Sequence, residues 1–70
     1  MDTFQLSGTE FITLNNLLKV MRWVGTGGEA NIGIENGHVL LNGVVEWQKR
    51  KKIRPGDVVA FGTNKVRIEL

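Results

Sequence analysis

Apolar positions keep helical spacing in the first half of this chain and strand spacing in the second. Leu14, Leu17, Leu18, Met21 and Val24 recur at i, i+3, i+4 and i+7, one face of an amphipathic helix. Thr13 stands before that stripe as an N-cap, with Ile12 placed to staple against Leu17, and Gly25 is expected to end the helix. Thr26 lies three residues before Glu29, the spacing of a capping box. There the threonine hydroxyl accepts from the amide of residue 29 and the glutamate reaches back to that of residue 26. A second helix over roughly residues 27–36 follows, closed by Asn36-Gly37, with a small-residue face of Ala30, Gly33 and Ile34. Glycine inside a helix costs about 1 kcal/mol relative to alanine, so Gly33 predicts a close neighbour, and the first helix is the expected one. The short connection Gly25-Thr26 implies a tight corner between the two helices.

Past Gly37 the rhythm changes. His38-Val39-Leu40-Leu41 reads as a strand, Asn42-Gly43 as a two-residue hairpin turn, and Val44-Val45 as the return. Pro55-Gly56 fits a type II turn before the buried strand Val58-Val59-Ala60-Phe61. Gly62-Thr63-Asn64 then turns the chain into a last strand, 65–70, which alternates cleanly. Phe4-Gln5-Leu6 suits a short first strand, 3–6, ended by Ser7-Gly8. The fold class that follows is α+β: two short helices packed on a small, mainly antiparallel sheet, in one domain covering 1–70.

Charge sharpens the picture. The net charge of +2 conceals a concentration: Lys49, Arg50, Lys51, Lys52 and Arg54 are five of the nine basic residues, with no acid among them. The remainder has four basic against seven acidic residues, a net charge of −3. Such a body focuses a positive field at one place, suited to a polyanion, without making the whole surface adhesive. Ile53 is the one apolar residue in that run and is expected to pin it to the core. In an extended segment this turns Arg50, Lys52 and Arg54 outward, whereas Lys49 and Lys51 share the inward parity and are expected to reach water only at the sheet's edge or through a bulge.

Other chemistry is sparse. The chain has no cysteine, hence no disulfide or thiolate site, which favours a reducing, cytoplasmic setting. Nothing approaches the roughly 20 apolar residues of a membrane span, and Met1-Asp2-Thr3-Phe4 does not read as a signal peptide. His38, the single histidine, reads as structural, and Asp57 as a turn residue rather than a base. No nucleophile, base and orienting acid assemble, so neither catalysis nor a metal, cofactor or small-molecule substrate is expected. Gly25, Gly27 and Gly28 open the second helix, where free amides can hold a phosphate or simply shape a corner. As a P-loop they lack the lysine and serine. Trp23 falls opposite the centre of the apolar stripe and admits two readings: covered by the N-terminal segment or a loop, or exposed for stacking on a base.

The two short helices, then Ile34-x-x-Gly37-x-Val39-x-x-Asn42-Gly43, then Ile53-x-x-Gly56-Asp57, resemble the αL motif. This is the RNA-binding domain first recognised in ribosomal protein S-four and found in pseudouridine synthases, tyrosyl-tRNA synthetases and small stand-alone bacterial proteins. Thr26-Gly27-Gly28-Glu29-Ala30 is similar to the Ser-Gly-Gly-x-Ala helix start of the stand-alone members. The resemblance covers about residues 11–62, and the terminal segments match strands that those small proteins add. Two departures remove positive charge from the second helix: Gly27 stands where many members have arginine, and Asn31 where many have lysine. They shift the burden of phosphate contact to residues 49–54.

The resemblance and the charge map together imply non-catalytic binding of structured RNA, such as ribosomal RNA, by a monomer. The expected contacts are Arg50, Lys52 and Arg54 first, then Lys49 and Lys51. Thr26, Gly27, Gly28, Arg22 and Lys19 add to them from the helix corner. The alternative is an adaptor that recognises an acidic protein with the same patch.

Overall fold

The structure, a computed structural model, describes residues 2–70. Strand β1 (Asp2–Gln5) is followed by the short β2 (Ile12–Thr13), helix α1 (Leu14–Val20) and helix α2 (Gly27–Glu35). Five more strands follow: β3 (Val39–Leu41), β4 (Val44–Val45), β5 (Lys52–Ile53), β6 (Val58–Phe61) and β7 (Asn64–Glu69). The main sheet has the order β1-β7-β6-β3-β4, and β2 pairs with β5 in a separate two-stranded ribbon. All pairings are antiparallel except β1 with β7, which closes one edge in parallel. The expected α+β arrangement stands, with the helices packed on a mixed, mainly antiparallel sheet.

The core is where the helical stripe meets the inner face of the sheet. Leu14, Leu17 and Leu18 of α1 and Ala30 and Ile34 of α2 are fully buried with Val39, Val59, Val66 and Ile68 from the strands. Ile53 is also fully buried, so the basic run is pinned as its one apolar residue predicts. Gly33 owes its missing side chain to a strand and not to the first helix: a Cβ there would stand 3.1 Å from Phe61 Cε1. Phe61 also stacks on Trp23, with ring centroids 6.5 Å apart and 14° between planes. Trp23 is thus half-buried, and what it packs on is strand β6, not the N-terminal segment or a loop.

Local signals account for the turns. Gly37, at φ +77°, ends α2 in a Schellman motif: the His38 amide donates to Gly33 O and the Gly37 amide to Ile34 O. His38 itself is exposed. Asn42 and Gly43, at φ +53° and +86°, make the two-residue hairpin turn. Asn42 also donates to Asp57 Oδ1 at 3.0 Å and accepts from the Val58 amide at 2.8 Å, while Asp57 Oδ2 accepts from the Arg54 amide. Asp57 is therefore a turn residue that clamps the Pro55-Gly56 corner to the hairpin.

Three expectations change. First, α1 ends at Val20 and not at Gly25, because Arg22 enters the left-handed region at φ +60°. The Trp23 amide then donates to Leu18 O and the Arg22 amide to Lys19 O, a second Schellman closure with arginine where glycine is usual. Met21 and Val24 still pack on the core, from the connection, which is why the stripe outlasts the helix. Second, the Thr13 hydroxyl caps nothing; it donates to Asn15 Oδ1. The first amides of α1 are taken by main-chain carbonyls instead, Leu14 N by Lys51 O and Asn15 N by Lys49 O. Third, the terminal strands are shifted by one residue, to 2–5 and 64–69.

Candidate nucleic-acid interface

The basic segment is shaped by its own main chain. Because two of its carbonyls cap α1, residues 48–51 cannot run straight. They turn, with the Lys51 amide donating to Gln48 O at 3.2 Å, and only Lys52–Ile53 are extended. Lys49 and Lys51 therefore reach water through a turn, and not at a sheet edge or bulge as their inward parity in an extended segment implied. Lys49, Arg50, Lys51, Lys52 and Arg54 are all exposed. Strand alternation survives at the end of the run, where Ile53 points in and Lys52 and Arg54 point out.

Lys52 and Arg54 share a seat. Lys52 Nζ lies 4.9 Å from the centroid of the Phe11 ring and Arg54 Cζ 5.8 Å from it. An exposed cation over an aromatic ring gains about 0.5–1 kcal/mol. The contact also narrows the rotamer freedom that a phosphate would otherwise have to restrict. Lys49 differs: its ammonium pairs with Glu35 Oε2 at 3.0 Å, the one ion pair among the described residues. Both side chains are about half exposed, so the pair is worth little to stability. It does hold Lys49 against the last turn of α2. Arg50, Lys51, Lys52 and Arg54 remain without a carboxylate partner among the described residues.

The remaining candidates form a second group. Asn15 Nδ2 donates to Asn31 Oδ1 and the Lys19 stem passes Gly27, so α1 and α2 run antiparallel. Lys19, Arg22, Thr26, Gly27 and Gly28 therefore gather where α1 ends and α2 begins. The basic segment sits at the other end of α1, and seven residues of helix separate the two groups by about 10 Å. At the corner, Thr26 Oγ1 accepts from the Glu29 amide at 3.1 Å, half of the expected capping box. The other half is displaced by one residue, since Glu29 Oε1 accepts from the Gly25 amide, not from Thr26. The Gly27 and Gly28 amides point out of the helix start without partners among the described residues. Glu29 puts a carboxylate beside them; the basic segment has Glu35 beside Lys49, but four of its cations keep no carboxylate partner among the described residues. The basic segment is the stronger of the two anion surfaces.

Nothing in the sequence marks Phe11 as part of the site, and Asn31 stands out there only for the lysine it replaces. Phe11 acts only because a two-residue ribbon pairs segments about forty positions apart, for which no local signal exists. Asn31 accepts from Asn15 and so ties α2 to the start of α1, beneath the basic turn. Among the described residues no cluster of histidine, cysteine or carboxylate side chains could hold a metal, and no helix is long and apolar enough to cross a membrane.

Comparison with known proteins agrees with this architecture. The sequence profile of the S4 domain matches residues 4–69. YbcJ of Escherichia coli (strain K12), described as a candidate RNA-binding protein, is 38% identical over 68 residues, which cover 97% of each chain. YbcJ of Shigella flexneri matches with the same identity and coverage. The solution structure of the E. coli protein, described as revealing an αL motif involved in RNA-binding, superposes with a TM-score of 0.76 at 37% identity. That match covers all of this chain and 89% of the other.

Proposed function

The chain belongs to the S4-domain family, and from that premise we propose that it binds structured RNA, such as ribosomal RNA, without acting on it chemically. One observation carries the reading. Four cations without carboxylate partners among the described residues project from a short segment whose backbone is fixed to α1 and whose Ile53 is locked in the core. Affinity for RNA comes largely from neutralising phosphates and releasing their counterions, and arginine grips a phosphate bidentately. Arg50, Lys52 and Arg54 make the main contacts, with Lys49 and Lys51 beside them. Lys19, Arg22 and the Thr26-Gly27-Gly28 helix start take a second phosphate region about 10 Å away along α1. Two rigid anion sites at a fixed separation favour an RNA whose backbone is itself held in shape.

In this reading the whole chain is one RNA-binding domain, working as a cytoplasmic monomer. Phosphate contacts position an RNA without reading its bases, so single changes in the segment weaken all sequences about equally. Crosslinking the protein to RNA in its native cells and sequencing the product tests the reading. Recovery of recurrent folded RNA segments is expected. Recovery of an acidic protein that survives nuclease treatment, with no RNA, would replace the reading with an adaptor.

A further inference from the structure

Trp47 sits in the polar stretch Glu46–Arg50, yet it is a large aromatic side chain that is 61% exposed. The exposure does not come from a loose loop. On one side the Glu46 amide donates to Val39 O at 3.0 Å, continuing the β3–β4 ladder. On the other, the Gln48 amide donates to Glu46 Oε2, and Gln48 O closes the turn to Lys51. The ring's outer edge rests on backbone: a Cβ at Gly37 would stand 3.0 Å from Trp47 Cη2 and 3.3 Å from Cζ3. The ring is anchored along that edge while most of its surface stays in water.

We propose that Trp47 is a stacking platform for an unpaired nucleobase of the bound RNA. This deepens the RNA-binding reading and rests on it. The occupant follows from what surrounds the ring. Gly37 lies two residues past Glu35, which holds the Lys49 ammonium, so ring and cation share the C-terminal end of α2, with exposed Arg50 next in the chain. An aromatic surface beside cations fits a nucleotide, with its base on the ring and its phosphate on Lys49 or Arg50. Bases inside an A-form duplex are stacked on one another and offer no free face. Trp47 therefore selects a loop, bulge or end next to the paired region that the basic segment grips. Trp23 is the poorer platform, because its ring is half-buried with Phe61 stacked on it.

The test compares wild type, Trp47→Ala and Trp47→Phe for binding to a single-stranded oligoadenylate and to a fully paired RNA duplex. Thermal unfolding of each variant is measured alongside. Trp47→Ala is expected to weaken oligoadenylate binding by about 5- to 150-fold, the range for removing one stacked base, and to leave duplex affinity and the salt slope unchanged. Trp47→Phe should retain most of the affinity. A Trp23→Phe variant leaves Trp47 as the single tryptophan, and oligoadenylate should quench its emission, a readout that does not depend on any Trp47 variant folding. Equal oligoadenylate affinity for wild type and Trp47→Ala, or equal loss on both probes, overturns the platform while leaving RNA binding standing. If wild type binds neither RNA, both readings fall together.

Discussion

Arg22 offers a test that sets stability against function. It occupies the closing position of α1 at φ +60°, where glycine is usual, and its exposed side chain makes no ion pair or hydrogen bond among the described residues. For an L-residue the left-handed conformation costs about 1–2 kcal/mol. Glycine removes that strain but brings extra unfolded-state entropy, an offset of roughly 0.5–1 kcal/mol. Arg22→Gly should therefore leave the protein at least as stable, by up to about 1.5 kcal/mol, raising Tm by up to roughly 12 °C for a chain of this size. Arg22→Gln keeps the strained backbone and removes only the charge, so its Tm should match wild type. Both variants should bind structured RNA more weakly, each with a salt slope lower by about 0.7–0.9. The measurements are thermal unfolding and affinity across a salt series. A less stable Arg22→Gly would show that the arginine side chain supports the fold, refuting the strain argument. A stabilised variant with unchanged affinity and slope would remove Arg22 from the RNA surface.

Two further substitutions probe the frame. A Cβ added at Gly43 meets nothing within 4 Å, so the penalty of Gly43→Val is mainly conformational, at φ +86°; urea unfolding should show a loss of about 1–3 kcal/mol, and no loss would contradict the hairpin turn. Thr26→Ala removes the hydrogen bond to the Glu29 amide and should cost about 0.5–2 kcal/mol by denaturant titration, with weaker RNA binding; a stability loss at unchanged affinity would make the cap purely structural.

The parts of the fold that were legible in the sequence are those decided within a few residues. Thr26, Gly37, Asn42-Gly43 and Pro55-Gly56 each satisfy a local backbone requirement, and each lies where its residue type predicts. The end of α1 was not legible, because the signal for a left-handed closing residue is glycine and the chain uses arginine. The shape of the basic segment was hidden for a different reason. Alternation assumes an extended chain, but the carbonyls of Lys49 and Lys51 are committed to the start of α1, more than thirty positions earlier, and bend it. Gly33 announced a close neighbour without identifying it, since Phe61 arrives from the other end of the chain. The seating of Lys52 and Arg54 on Phe11 is likewise a product of pairing between distant segments. Charge and turn chemistry could be read from the sequence; the orientation of the charges came only from tertiary contacts.

The central claim is that the basic segment neutralises RNA phosphates. Arg50, Lys52 and Arg54 are exposed and fill no part of the core, so replacing all three with glutamine should leave the protein folded, as far-ultraviolet circular dichroism and cooperative melting would show. Affinity of wild type and the triple variant for one structured RNA, measured over a range of salt concentrations, then tests the claim directly. With three phosphates no longer neutralised, the slope of log affinity against log salt should shrink by roughly 2–3 units. A folded triple variant that keeps the wild-type slope would contradict it.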